Sequence, residues 1–230
     1  WRKPARVFVN SMSDLFHGDL PEEDIARVFA VMHSAPRHTF QVLTKRPERM
    51  REWFTQSVHW NAYTRMLKLT GPLTDARIVG NRWPLPNVHL GVSCEDQATA
   101  DERIPILLDT PAAVRFVSYE PALGPLDLHV PHSQGVGELL IDGIDWIIVG
   151  GESGPGARSC DVASVRSIVA QCKTAGVACF VKQLGSAPLG AFPVPYWKPN
   201  DRKGGDPSEW PADLRVREYP TPARTRERQP

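Results

Sequence analysis

Short runs of β-branched and aromatic residues recur along this chain, each followed by polar or glycine-containing residues and separated from the next by helical periodicity. That alternation constrains the fold more than any other feature. Residues 6–10, 39–44, 87–93, 113–119, 145–150 and 178–183 read as strands. Helices are expected from Pro21, with an apolar stripe of Ile25, Val28, Phe29 and Met32; from Pro47 past Trp53; over 98–108; and after an Asp161 cap. That last helix carries Val165, Ile168, Val169 and Cys172 on one face and stops at Gly176. Parallel neighbours need crossovers of this length, so the pattern predicts a parallel α/β architecture, either a partial (β/α) TIM-type barrel or an open doubly wound sheet.

Two stretches interrupt the alternation, near 57–86 and 124–143. They read as insertions into a barrel domain over 1–190, with a helix expected over 63–69 in the first and a small hairpin in the second. Residues 191–230 are rich in proline and arginine and read as an extension, partly disordered, with the part beyond Pro211 extended or disordered. The chain starts on Trp1 and enters a strand within six residues, which suggests the remainder of a longer protein, truncated at its N-terminus.

Charge narrows the function classes. The chain has 230 residues with 27 Lys plus Arg against 26 Asp plus Glu, so net charge indicates neither nucleic-acid nor anionic-membrane binding. Nothing approaches a membrane-spanning apolar run, and residues 1–4 lack the core of a signal peptide. Cys94, Cys160, Cys172 and Cys179 lack metal-ligand spacing and read as reduced thiols of a cytoplasmic protein. None of the seven histidines stands out as a metal ligand or a general base.

In parallel β/α folds the reacting groups lie past the C-terminal strand ends. Those positions hold Asn10, Ser11 and Asp14; Thr44, Lys45 and Arg46; Ser93, Glu95 and Asp96; Glu120; Gly150, Gly151, Glu152 and Ser153; and Lys182 with Gln183. For Asp14, Asp96 and Ser153 capping or turn duty is the stronger reading. Glu120, Glu152 and Lys182 follow very apolar runs, and a catalytic role in a partly desolvated site is expected of them. The Gly150–Gly151 turn would let backbone approach a ligand closely. Thr44, Lys45, Arg46 and Gln183 are candidate substrate or anion contacts, with a solvated basic patch the alternative for the basic pair.

Four of these segments, Val9 through His17, Leu43 through Met50, Ser118 through Leu126 and Ile148 through Arg158, resemble the phage gene product 37/68 family, over a span from Trp1 to about Gly185. The resemblance implies a radical S-adenosylmethionine (SAM)-like partial barrel. In such proteins a three-cysteine segment near the N-terminus would hold a [4Fe–4S] cluster; here it would lie upstream of Trp1, so cluster and SAM are expected of the full-length parent. The same resemblance places Asn10, Ser11 and Asp14 near the amino group of SAM. It places Ser93 and Glu95 near the ribose, and Glu120 with Gly150, Gly151 and Glu152 beside nucleoside or substrate. Two alternatives stand beside it: a non-redox barrel that binds a nucleotide or phosphate ligand at the same strand ends, and a phage or mobile-element interaction protein without catalysis.

Overall fold

A computed structural model describes residues 2–56, 83–129, 139–190 and 198–221. The expected helix over 63–69 and the tip of the expected hairpin, with residues 222–230, lie outside them. The described residues form two compact units, one reaching from the N-terminus to Val92 with Ile106–Arg115, the other comprising Ser93–Pro105 and Phe116–Thr221.

All six apolar runs are strands: β1 (Arg6–Val9), β2 (Thr39–Thr44), β3 (Val88–Ser93), β4 (Val114–Tyr119), β5 (Trp146–Gly150) and, after a short β6 (Cys160–Asp161), β7 (Ala178–Gln183). They make one sheet in the order β1-β2-β3-β4-β5-β7, with parallel ladders between β1 and β2, β2 and β3, β4 and β5, and β5 and β7. Strands laid side by side in chain order, without reversal, are the arrangement of a partial β/α barrel; a doubly wound sheet reverses. The reason β5 reads as an unbroken apolar run is visible in its burial, which includes every residue from Trp146 to Gly150.

In the first unit, α1 (Glu22–Ser34) starts behind Pro21 with Glu22, Glu23 and Asp24 in its first turn, where acids meet the positive end of the helix dipole. It buries Ile25, Ala26, Phe29, Ala30 and Met32, whereas Val28 is only half-buried. Helix α2 (Pro47–Thr55) packs Trp53 and Phe54 against α1: the Phe29 and Trp53 rings stack at 4.8 Å, and Phe54 stacks on Trp83 at 4.2 Å. The Asn87 amide donates to the carbonyls of Met32 (3.0 Å), in the last turn of α1, and His38 (3.2 Å), tying the end of α1 and the loop after it to the start of β3.

Helix α3 (Gln97–Leu108) follows β3, and Asp96 Oδ1 accepts from Thr99 N–H at 2.9 Å, the capping duty expected of it. In the second unit, α4 (Val162–Ala175) has the expected ends. Asp161 accepts from Ala163 N–H at 2.8 Å, and Gly176 turns the chain at φ 68°, a left-handed conformation that suits glycine. Its buried face includes Val165, Ile168 and Cys172, while Val169 is half-buried.

Two features lay beyond the sequence pattern. A second ladder joins β6 to β8 (Pro188–Leu189), each two residues long. In the C-terminal segment, 3-10 turns at Pro207–Glu209 and Ala212–Leu214 precede a stretch that runs extended along β7, with Val181 N–H donating to Val216 O (2.9 Å) and Glu218 N–H to Cys179 O (2.8 Å).

Candidate functional site

The end of β1 turns at Asn10, whose φ of 55° is unusual for a side-chain-bearing residue and tolerated by Asn. Its carbonyl accepts from Ser13 N–H (3.1 Å), and Ser11 is exposed. This turn delivers Asp14 to the end of β2. There Oδ1 accepts from Phe16 N–H (2.9 Å) and the Thr44 hydroxyl (2.8 Å), while Oδ2 accepts from Lys45 N–H (3.0 Å) and Arg46 Nη1 (2.9 Å). A carboxylate has about four acceptor positions, and here four donors fill them. Burial raises the Asp14 pKa, but the hydrogen bonds from Lys45, Thr44, Phe16 and Arg46 outweigh it and hold the carboxyl below its ordinary value. The donors at Thr44, Lys45 and Arg46, candidate contacts for a bound anion, therefore already serve an anion of the protein itself.

The second unit gathers most of the remaining candidates. Ser93 Oγ lies 3.2 Å from Glu95 Oε1, and Arg103, reaching back from α3, donates to Ser93 O (2.7 Å) and Glu95 Oε2 (3.2 Å). Ser118, buried at the end of β4, donates to Glu120 Oε2 (3.2 Å). Lys182 Nζ straddles the same carboxylate at 3.1 Å from Oε1 and 3.2 Å from Oε2. Glu152 Oε2 takes both the backbone N–H (3.0 Å) and Nε (2.7 Å) of Arg158; with Arg158 the first cause, the carboxyl sits below its ordinary pKa. Gln183 donates to Gly151 O at 2.9 Å.

The two glycines after β5 serve this packing. A Cβ on Gly150 would stand 2.7 Å from Glu120 Oε1, and one on Gly151 would collide with the Leu184 carbonyl. Close approach of backbone, expected there for a ligand, is used by the protein's own carboxylate and main chain. Ser153 is exposed in the loop that returns Arg158 to Glu152.

Two candidates, Arg103 and Arg158, were given no role by the sequence reading, and Ser118 stood at the end of its strand without one. Ser118 sits one alternation before Glu120, a legible signal. Arg103 and Arg158 reach their carboxylates through helix and loop geometry that leaves no periodic trace.

The four cysteines are free and buried, and burial, the leading cause, pushes the Cys94 and Cys160 thiols up to about 12. Among the described residues no group of three or more His, Cys, Asp or Glu side chains could hold a metal ion, so these residues do not fit an iron–sulfur cluster. Among them, too, no helix is long and apolar enough to cross a membrane. His89, in β3, has an Nδ1 without a hydrogen-bond partner; burial first and Arg6 second lower its pKa to about 4.

Compared with known proteins, residues 1–203 match a family described as protein of unknown function (DUF5131). No curated protein and no solved structure matches the chain.

Proposed function

The chain belongs to the DUF5131 family, and from that premise we propose that it is the barrel portion of a radical-SAM-like enzyme whose second unit binds SAM. The observation that carries this reading is the spare acceptor capacity of the carboxylates there. Among the described residues Glu152 uses only Oε2, and Glu120 takes three contacts, two of them from one ammonium. Vacant carboxylate positions recognise donors and positive charge: ribose hydroxyls, an ammonium, a sulfonium. They repel phosphate. Of the candidate anion contacts, the Thr44 hydroxyl, the Lys45 backbone N–H and Arg46 Nη1 are taken by Asp14, which weighs against a nucleotide or phosphate ligand there.

Ser93 and Glu95 would meet the ribose, and Glu120 and Glu152 the cationic part of the ligand. Lys182 would hold the Glu120 carboxylate oriented until a substrate donor competes for it. Bound SAM supplies a reducible sulfonium, the source of hydrogen-abstraction chemistry. The described residues fit no cluster, so the electron that such a reduction needs would come from a one-electron donor outside them.

Calorimetric titration with SAM, ATP and inorganic phosphate tests the proposal. SAM should bind, and Glu120→Gln and Glu152→Gln should each weaken it by about tenfold, the order expected for one charge-assisted hydrogen bond. Tighter binding of ATP than of SAM would transfer the site to the nucleotide reading, and no heat with SAM would end the proposal.

A further inference from the structure

Lys182 stands at an irregularity. Along β5 and β7 the register runs Val149 to Val181 and then Gly150 to Gln183, so Lys182 is passed over. A bulge of this kind leaves one residue without a partner across the ladder and re-aims its side chain. Here the re-aimed side chain carries the ammonium that straddles Glu120.

On its other side β7 meets the C-terminal segment. Arg217 pairs with Phe180 in an antiparallel bridge, and its guanidinium lies over the rings of Phe180 (5.4 Å) and Trp210 (5.3 Å). From there Nη2 donates to Lys182 O (3.3 Å) and Gly205 O (3.2 Å). Trp210 is itself pinned, its Nε1 donating to Gly204 O at 2.9 Å, and Gly204 O also accepts from Leu184 N–H at 2.9 Å.

We propose that Arg217 is a positioning residue for the candidate site: it holds the bulged Lys182 by its carbonyl from the outer edge of β7 and so keeps the ammonium on Glu120. Arginine suits the task because its planar fork can stack on two rings while donating in its own plane to two carbonyls. The residue lies beyond the span matched by the family, which ends at 203. A segment outside that match thus sets the geometry of a residue inside it.

The importance of Lys182 rests on the proposed site, but the position of its ammonium can be read without SAM. Brief acetylation with limiting acetic anhydride, followed by peptide mass spectrometry, compares Lys182 with the exposed Lys173 of α4. Glu120→Gln, which removes the counter-charge, defines the released state. Arg217→Ala should raise Lys182 labelling about threefold or more towards that state, with Lys173 unchanged, the order expected when one ion pair is loosened. Arg217→Lys, which keeps a cation over the rings but lacks the fork, should fall between. In the Glu120→Gln background Arg217→Ala should add nothing, because both changes act on one interaction. Unchanged Lys182 labelling in Arg217→Ala would overturn the proposal even if the melting temperature fell, since a purely structural strap would lower stability alone. Should Arg217→Ala fail to melt cooperatively, unchanged labelling in Arg217→Lys would overturn it equally. Failure of SAM to bind would leave these outcomes standing and strike only the proposed function.

Discussion

Asp14 in the first unit and Glu120 and Glu152 in the second follow their strands alike, as acids placed shortly after an apolar run. Their surroundings differ. Asp14 accepts two backbone N–H groups, a hydroxyl and a guanidinium, one strand end tied to the next. Glu120 is held by Lys182 with the Ser118 hydroxyl, and Glu152 by the side chain and backbone N–H of Arg158; the two cationic side chains are more than half exposed. A carboxylate saturated by main chain is part of the fold, and one balanced by a surface cation can exchange that cation for a ligand. The comparison teaches that the number and kind of donors, rather than position after a strand, separates the saturated acid from the two that keep acceptor positions open to a ligand.

The largest effect that would sharpen the contrast is in acid. His89, within the first unit, is held neutral: its folded pKa is about 4 against an ordinary 6.5. Between those values the unfolded chain takes up a proton that the folded chain does not, so stability falls as pH drops from 6.5 towards 4. The loss over that window is about 3 kcal/mol. Urea midpoints measured against pH should show it, and His89→Gln should flatten that limb. An identical limb in the variant would place the acid sensitivity elsewhere.

Next in size is Asp14→Ala, which leaves the donors of Thr44, Lys45, Phe16 and Arg46 without their acceptor and should lower unfolding stability by about 2 kcal/mol. The pH dependence has a definite sign. Because the folded carboxyl titrates below its ordinary value of 3.8, its contribution is present above that pH and lost as pH falls through the lower folded value. Asp14→Ala should therefore remove part of the dependence below pH 3.8, below the window of His89. A variant as stable as the parent would erase the distinction between the two kinds of acid.

The parts of this molecule that were legible in the sequence are those fixed by local repetition. The apolar runs became the six strands, but only β5 is buried along its whole length; β1, read as buried, has no buried residue because it ends the sheet with β2 as its one neighbour among the described residues, and Asp161 and Gly176 bound α4 because capping and left-handed turns are short-range needs. Asp14 was legible as a turn residue. Its saturation was not, since it depends on Thr44 and Arg46, some thirty residues away. The stretch beyond Pro211 was legible as extended or disordered; its docking on β7 was not, because only the rings of Phe180 and Trp210, separated along the chain, turn Arg217 into a packed side chain. The β6–β8 ladder is too short to leave a periodic signal at all.

The smallest effect bears most directly on the proposed site. Arg158 is exposed and Glu152 half-buried, and an ion pair so open to water adds little to stability because water screens it and two side chains must be ordered to form it. Arg158→Ala should thus leave the melting temperature unchanged within error. Its consequence for binding has the opposite sign from that of Glu152→Gln. With the guanidinium gone, Oε2 loses a competing donor and the strand ends gain negative potential, so a cationic ligand such as SAM should bind about threefold tighter, and the gain should shrink as salt rises. An anionic ligand would respond the other way. Weaker SAM binding in Arg158→Ala would mean that Arg158 contacts the ligand itself, and Glu152 would then belong with Asp14 as an acid that serves the fold.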